Sequence, residues 1–204
     1  EVLVVDDGSP DGTGEVADAL ARKHPGRISV LHRAGKQGLA SAYIAGFKRA
    51  LEDGADVIVE MDADLSHSPH YVPQLLEKLH DYDVAVGSRY VAGGQVDPRW
   101  SSRRKFLSWA GNVYARWITG LKVKETTGGF KAFRRQVLQS LDLDGMESKG
   151  YAFQVEVAYA CQKKGFHVAE VPITFQERGS GRSKMSWRIV WEAFWRVWHL
   201  RWRY

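Results

Sequence analysis

The sequence predicts an α/β fold in which a mostly parallel sheet is flanked by helices. Short apolar runs rich in β-branched residues, such as residues 2–5 and 84–87, alternate with segments of helical periodicity. This alternation favours parallel strands joined by helical crossovers. Charged residues directly follow several of the runs, and ligands of such sheets bind beyond the carboxyl ends of the strands. We therefore expect a binding site at one rim of the sheet.

The predicted elements follow one another at short intervals. In chain order they are strand 2–5, helix 13–24, strand 28–32, helix 38–51, strand 56–61, a helix that opens at Ser68 and Pro69, and strand 84–87. Ser68 is expected as the N-cap of its helix and Pro69 as its first-turn proline. Because the chain begins inside an apolar strand, we expect that the first β-α unit of the fold is missing from it.

The charge is divided between the two halves of the chain. Residues 1–98 carry a net charge of −7 and residues 99–204 one of +12, which together give the formal +5. An acidic half suited to a cation is thus followed by a basic half suited to phosphates or anionic lipid. The single cysteine, Cys161, excludes an internal disulfide and is expected in the core. No apolar run of the sequence is long enough to cross a bilayer.

The first acidic group is the pair Asp6-Asp7, which follows the first strand. Adjacent like charges repel each other unless a partner compensates them. We expect Asp7 or Asp6 to accept hydrogen bonds from a base or a ribose, as acids beside nucleotides do. Asp11 or Thr13, later in the same loop, is expected to cap the following helix.

The second acidic group is Asp62-Ala63-Asp64, at the end of the apolar run 56–61. Alternate residues of an extended segment point the same way, so both carboxylates are expected to face one ion. Carboxylate and phosphate oxygens are the usual ligands of hard cations such as Mg²⁺ and Mn²⁺. The sequence therefore predicts a Mg²⁺ or Mn²⁺ site here. His67 lies close by, and we expect a structural role for it rather than metal ligation.

The chain also contains seven short blocks with glycine, charged and aromatic residues: 5–13 (VDDGSPDGT), 61–67 (MDADLSH), 87–94 (GSRYVAGG), 127–131 (TGGFK), 150–156 (GYAFQVE), 170–175 (EVPITF) and 181–184 (GRSK). In this order they resemble the signature blocks of the dolichol-phosphate (polyprenol-phosphate) mannose synthases. Those enzymes are inverting family 2 glycosyltransferases with the GT-A fold. Two departures from the family pattern are Gly128, where serine is common, and the absence of the opening Pro-x-Tyr-Asn-Glu segment.

The resemblance implies that the donor is GDP-mannose and that the matching residues bind it. Val5 and Asp7 would contact the guanine nucleotide. Asp62, Ala63 and Asp64 would hold the diphosphate and the metal, with Ser66 as a further metal ligand. Some relatives have glutamine at this last position, so a hydroxyl here would be a weaker ligand or act through water.

The resemblance also implies that the acceptor is a polyprenyl (dolichyl) phosphate. Arg89, Arg104 and Ser108 would receive the lipid phosphate, and Arg89 would also contact the donor. Arg178 and Lys184 would close over the donor. A phosphate monoester is itself a competent nucleophile, so cations that hold it are needed more than a basic side chain, and guanidinium groups suit phosphate oxygens. We expect catalysis to depend on Asp64, Arg89 and Arg104.

The C-terminal segment predicts an amphipathic helix beyond a catalytic domain of residues 1–184. In residues 185–204, arginines and tryptophans recur on neighbouring stripes, and the smaller apolar side chains Ile189, Ala193, Val197 and Leu200 lie opposite. Tryptophan beside arginine is typical of helices in a membrane interface. Packing of the aromatic ridge on the domain or on a partner subunit is the alternative. We expect a peripheral protein at the cytoplasmic face of a membrane. The sequence leaves open whether a membrane-anchoring subunit or domain is a partner.

Three other functions compete with mannosyl transfer. A glucosyltransferase acting on polyprenyl phosphate would share the fold and the motifs. A phosphatase with Asp62 as nucleophile and Asp64 as general acid would need a second acidic pair late in the chain, where the acids after Glu125 are scattered. A non-catalytic module that binds membrane or nucleic acid would leave the strand-end carboxylates without a role, because they repel phosphate. Nucleic acid is therefore not expected as a partner.

Overall fold

The structure is a computed structural model that describes residues 1–177 and 187–204. It divides into two compact units, Glu1–Asp56 and Val57–Tyr204. In the described residues, no helix is both long enough and apolar enough to cross a membrane. The two units are described in turn.

The first unit is a pair of β-α repeats. Its elements are β1 (Val2–Asp6), α1 (Thr13–Lys23), β2 (Ile28–His32) and α2 (Leu39–Glu52). β1 and β2 pair in parallel, with Val2 opposite Ile28. Gly14 in α1 allows a close approach to β1, because a Cβ at this position would lie 2.9 Å from Oδ2 of Asp6. The four elements match the predicted ones to within a residue or two at each end.

The second unit is built on a four-stranded sheet with the strand order β3-β6-β4-β7. Its elements are β3 (Val57–Glu60), a 3-10 turn (Pro69–Tyr71), α3 (Val72–Lys78), β4 (Val84–Ser88), β5 (Gln95–Val96), α4 (Ser102–Thr119), β6 (Lys131–Arg134), α5 (Arg135–Ser140), α6 (Gly150–Lys163), β7 (Val168–Pro172), β8 (Thr174–Phe175) and α7 (Trp187–Arg203). The β4–β7 and β5–β8 pairs are parallel. The mostly parallel α/β fold predicted from the sequence is confirmed.

β6 is one of four strands that the sequence analysis did not predict, together with β5, β7 and β8. It runs antiparallel to both β3 and β4 and lies between them. Its four residues begin and end on a charged side chain, so neither an apolar run nor a period of two is visible in the sequence. The side chains of Ala132 and Phe133 are nevertheless fully buried, because a strand in the middle of a covered sheet has neighbours on both faces.

The helices α4, α6 and α7 share one apolar core in this unit. Val197 and Leu200 of α7 are buried against Ala115 and Ile118 of α4 and Val155 of α6. Val197 and Leu200, which the sequence places opposite the arginine and tryptophan stripes, are thus on the side of α7 that packs on the other two helices. The boundary at residue 184 stays a prediction, because residues 178–186 lie outside the described part of the chain.

Two smaller expectations are also met. The side chain of Ser68 accepts a hydrogen bond from the backbone N–H of His70, with Pro69 in the first turn that follows. Cys161 is buried in α6 as a free thiol, and burial raises the pKa of this thiol to about 12. A thiol with that pKa stays protonated at neutral pH, so Cys161 acts as a small core residue.

Candidate active site

The acidic group Asp62-Ala63-Asp64 lies in a bend that follows β3. Leu65, the next residue, has a φ of 66°, a left-handed conformation that is uncommon for a leucine. After this reversal of the chain, the backbone N–H and the hydroxyl of Ser66 both donate to Oδ1 of Asp64, at 3.0 and 2.5 Å. The carboxylate of Asp64 is thereby anchored within the bend.

The side chain of His67 is hydrogen-bonded to the same bend. Its ring is buried, stacks on Phe130 at 5.1 Å and meets the edge of Phe175 at 5.3 Å. Burial lowers the pKa of His67, so the imidazole is neutral at neutral pH. Its Nδ1 therefore accepts the hydrogen bond from the backbone N–H of Asp62 at 3.2 Å. These contacts agree with the structural role predicted for His67.

Arg89, just after β4, is held by a carboxylate that the sequence analysis did not assign. Its Nε donates to Oε2 of Glu125 at 2.8 Å and its Nη2 donates to Oε1 at 2.7 Å. The two side chains are 8% and 0% exposed. Burial acts against both charges, yet each partner stabilises the other, so the pKa of Arg89 is raised and that of Glu125 is lowered. Both groups are charged at neutral pH.

Hydroxyl and amide groups complete the surroundings of Arg89. Its Nη1 points to the hydroxyl of Ser108 at 3.4 Å, and Nη2 also donates to Oγ1 of Thr127 at 3.1 Å. The amide of Asn112 donates to the same Thr127 oxygen at 3.2 Å. Arg89 and Ser108, which were both predicted to receive the lipid phosphate, are therefore neighbours.

Arg104 lies on α4 one turn before Ser108, and it too has a carboxylate partner. Its Nη1 donates to both carboxylate oxygens of Glu177, at 2.7 and 2.6 Å. The guanidinium also lies over the ring of Trp100, 3.7 Å from the centroid. Both members of the ion pair are about a quarter exposed. A phosphate that reaches Arg104 must therefore share this guanidinium with Glu177 or displace it.

The segment at residues 175–177 connects the acidic bend to the arginines. The ring of Phe175 touches His67, and the guanidinium of Arg89 lies 5.2 Å from the centroid of the same ring. The backbone N–H of Gln176 donates to the carbonyl of Ser66 at 3.1 Å. Anionic and cationic groups thus meet in one site within the second unit. Such a site can hold a cation with a diphosphate beside an anionic acceptor.

The described residues contain no group of three or more His, Cys, Asp or Glu side chains placed to hold a metal ion. Two carboxylates, Asp62 and Asp64, are nevertheless enough for a cation that also binds diphosphate oxygens. The side chain of Asp62 is 28% exposed and Asp64 is anchored by Ser66. The donor set therefore fits a hard divalent cation that the nucleotide helps to bind.

The remaining predicted residues lie elsewhere in the chain. In the first unit, Val5 is half-buried in β1, and Asp7 forms an ion pair with Arg33 at 2.8 Å. Arg33 Nη2 in turn donates to the hydroxyl of Ser41 at 2.8 Å. Asp7 is therefore held in place by an arginine that the sequence analysis did not assign. Arg178 and Lys184 lie outside the described residues.

Glu125 and Glu177 are the main site residues that sequence reasoning missed. Both are acids in the basic half of the chain, where acids are few. That scarcity is a signal, because an isolated carboxylate among many cations is well placed to pair with one of them. The identity of the partner could not be read from spacing, since the pairs span 36 and 73 residues.

Comparison with known proteins places the chain in a family. The profile of Glycosyl transferase family 2 matches residues 1–142. The chain is 51% identical over 193 residues to the undecaprenyl-phosphate mannosyltransferase of Micrococcus luteus, with 95% of this chain and 79% of the relative covered. It is 48% identical over 205 residues to the polyprenol monophosphomannose synthase of Mycolicibacterium smegmatis, with 99% and 77% covered.

A solved structure shows the same fold. Glucosyl-3-phosphoglycerate synthase from Mycobacterium tuberculosis, in complex with Mn²⁺, UDP-glucose and phosphoglyceric acid, matches with a TM-score of 0.66 at 19% identity, over 96% of this chain and 68% of that one. At this identity the likeness concerns the fold. The match to the family profile, the two relatives and the shared fold agree with one another, and the chain belongs to the family 2 glycosyltransferases, with a GT-A-like fold.

Proposed function

We propose that the chain transfers a mannosyl group from GDP-mannose to a polyprenyl phosphate, with inversion at the anomeric carbon. The names of the two bacterial relatives support mannose as the sugar and polyprenyl phosphate as the acceptor. The observation that carries the proposal is the contact, through Phe175 and Gln176, between the acidic bend and the arginines. A diphosphate donor with its cation suits the first group, and a phosphate acceptor suits the second.

The acceptor itself supplies the nucleophile in this mechanism. A phosphate monoester is largely ionised at neutral pH, so one of its oxygens can attack the anomeric carbon without a basic side chain. As the new C–O bond forms, the bond to the donor diphosphate breaks, its electron pair leaves with GDP, and the configuration inverts. Arg89, Arg104 and Ser108 hold the phosphate in line for this attack, and catalysis rests on positioning and charge stabilisation.

In the same proposal Asp62 and Asp64 hold Mg²⁺ or Mn²⁺ against the donor diphosphate. When bound, such an ion offsets the charge that develops on the leaving diphosphate. Ser66 was predicted as a third ligand, and this stays a prediction. In the structure the hydroxyl of Ser66 donates to Asp64, which supports a role in orienting that carboxylate.

The donor contacts are completed by residues on several segments. Val5 and Asp7 are proposed to contact the guanine nucleotide, with Asp7 oriented by its ion pair with Arg33. Ala63 is proposed to lie against the diphosphate, since a small side chain leaves room for it. Arg178 and Lys184 are proposed to contact the donor as well.

The polyprenyl chain of the acceptor lies in a bilayer, and two helices carry exposed aromatic side chains that suit contact with this bilayer. On α4, which carries Arg104 and Ser108, the side chains of Phe106, Trp109 and Trp117 are 62, 51 and 75% exposed. On α7, Trp195 and Trp202 are 57 and 83% exposed. Exposed tryptophans near basic residues are typical of proteins that bind a membrane interface. The sequence analysis predicted the aromatic face of α7 but not that of α4.

We therefore propose peripheral binding at the cytoplasmic face of a membrane. The W109A/W117A double variant should bind less to vesicles of neutral or anionic lipid in a flotation assay. The Y82A variant is the control, because Tyr82 is an exposed aromatic residue in the segment between α3 and β4 and belongs to neither helix. Equal binding by the wild type, the W109A/W117A variant and the Y82A variant would contradict the proposed membrane surface.

The function is tested by a transfer assay with purified protein, polyprenyl phosphate and a panel of nucleotide sugars, with and without Mg²⁺ or Mn²⁺. We expect GDP-mannose to be the preferred donor, the product to be a β-linked polyprenyl-phosphate mannose, and the reaction to require the cation. Preference for a glucose donor would favour the glucosyltransferase alternative. Full activity in the presence of a chelator would contradict the metal assignment.

A further inference from the structure

A buried cluster of polar side chains lies beneath the site and has no part in the mechanism described above. Its centre is the ammonium of Lys131, the first residue of β6, whose side chain is 2% exposed. It donates to Oε1 of Glu60 at 3.0 Å, to the carbonyl of Gly128 at 2.5 Å and to Oε1 of Gln154. An ammonium has three N–H donors, so these contacts account for all of them.

This cluster is an unusual way to fill a core position. Glu60 and Lys131 are opposite each other in the β3–β6 ladder, and the side chain of Glu60 is fully buried. A buried ion pair contributes little to stability compared with apolar side chains of the same size, because both ions lose their water. Pairing by apolar side chains is the common solution in a covered sheet. The cluster therefore points to a purpose other than stability.

Two of the three acceptors, Glu60 and Gly128, lie on segments that lead to the two halves of the site, and the third, Gln154, lies on α6. Glu60 is two residues before Asp62, the first carboxylate of the acidic bend. Gly128 belongs to the turn that also carries Thr127, an acceptor for Arg89. This turn is tightly packed, since a Cβ at Gly128 would lie 3.0 Å from Cγ of Glu125. Lys131 thus joins the acidic bend to the segment that holds Arg89.

We propose that Lys131 is a positioning residue that sets the distance between the Asp62–Asp64 carboxylates and the guanidinium of Arg89. This inference rests on the proposed function, in which the first group binds the donor diphosphate and the second binds the acceptor phosphate. Each substrate has its own contacts and binds without Lys131. Their mutual alignment depends on it, and a displacement of about 1 Å can lower a rate by about 100-fold.

Two double variants separate positioning from stability. E60L/K131M removes both charges and the hydrogen-bond donors, whereas E60Q/K131Q removes both charges but keeps an amide that can donate to Gly128. Because each replaces the whole ion pair, neither leaves an unpaired buried charge. V137A is the control for a core change in the same unit, since Val137 is a buried residue of α5 that lies outside the site.

We expect E60L/K131M to lower kcat at least about 10-fold while changing the KM for GDP-mannose and for polyprenyl phosphate less than about 3-fold. E60Q/K131Q should lose less than about 3-fold in kcat, because its amide can still hold the turn. V137A should keep the wild-type kcat at temperatures well below its thermal midpoint. If Lys131 and Glu60 only stabilised the fold, their replacement would not lower kcat while leaving both KM values nearly unchanged.

Four results would overturn the inference. They are a kcat for E60L/K131M within twofold of the wild type, an equal loss in both double variants, a rise in KM with kcat unchanged, or a loss of kcat in V137A that matches its loss of thermal stability. An absence of mannosyl transfer by the wild-type protein is a different outcome, because it would refute the proposed function itself and this inference with it.

Discussion

The carboxylate of Glu125 is the only charge partner shown here for the buried guanidinium of Arg89, within the part of the chain that the structure describes. Replacing Glu125 by alanine leaves a cation that is 8% exposed without that partner. Breaking a buried ion pair in this way costs about 3–5 kcal/mol. For a protein of 150–250 residues this corresponds to a fall in Tm of roughly 6–20 °C, at about 2–4 °C per kcal/mol.

Thermal unfolding followed by circular dichroism measures this effect. The D53A variant is the matched control, because it breaks the Arg49–Asp53 pair, whose side chains are 40 and 47% exposed. That exposed pair should contribute only about 0.3–0.5 kcal/mol. The R89M/E125M double variant should recover most of the lost stability without recovering transfer, since it removes both charges and also removes the proposed phosphate ligand.

The pH dependence gives a further check on the same pair. The pKa of Glu125 in the folded protein is lowered from the ordinary value of 4.5: burial acts against this, but the charge and hydrogen bonds of Arg89 outweigh it. A carboxylate with a lowered folded pKa contributes stability above its unfolded pKa and loses it as the pH falls through the folded pKa. The difference in Tm between the wild type and E125A should therefore be greatest above pH 4.5 and shrink in acid. A Tm for E125A within about 2 °C of the wild type at pH 7 would refute the reasoning.

Three further predictions concern the donor, the acceptor and the first unit. D64N should abolish cation-dependent transfer while leaving Tm nearly unchanged; full activity in a Mn²⁺ titration would remove Asp64 from the metal site. R104A should raise the KM for polyprenyl phosphate by at least about 10-fold, as expected for a charge-assisted phosphate contact, and R103A should not; equal values would remove Arg104 from the acceptor site. The pKa of His32 is raised from 6.5, chiefly by its hydrogen bond to Asp18, so its contribution to stability is present below pH 6.5 and lost as the pH rises through the raised value. Urea unfolding should show the wild type losing its advantage over H32Q between acid and alkaline pH, and a constant difference would contradict this.

The elements of the first unit could be predicted closely because their signals are local. Apolar runs, turn residues and helical periodicity lie within a few residues of one another, and β1, α1, β2 and α2 begin and end near the predicted positions. The same holds for β3 and β4. β6 escaped prediction because its burial comes from the strands on either side, and these are distant in sequence.

The chemistry of the site follows a similar division. Asp62, Asp64 and Arg89 are candidates that the sequence already offers, because they follow strand ends and lie in signature blocks. Arg104 lies outside these blocks and became a candidate through the family resemblance and its cluster of basic residues. The bend at Leu65, through which Ser66 reaches Asp64, could not be found from the sequence, since a left-handed leucine has no sequence signal. Nor could the ion pairs of the arginines with Glu125 and Glu177, which depend on side chains brought together by the fold.

The sequence by itself determined the class of the protein and offered the groups proposed for the reaction: two carboxylates for a cation and arginines for a phosphate. These are properties of residue types and of their order along the chain. The tertiary structure decided which charges are compensated, since Glu125 and Glu177 neutralise the arginines that the sequence left unpaired. It also placed Lys131 between the acidic bend and the turn that holds Arg89. Distance and burial set the strength of an electrostatic interaction, and both become known only when the chain is folded.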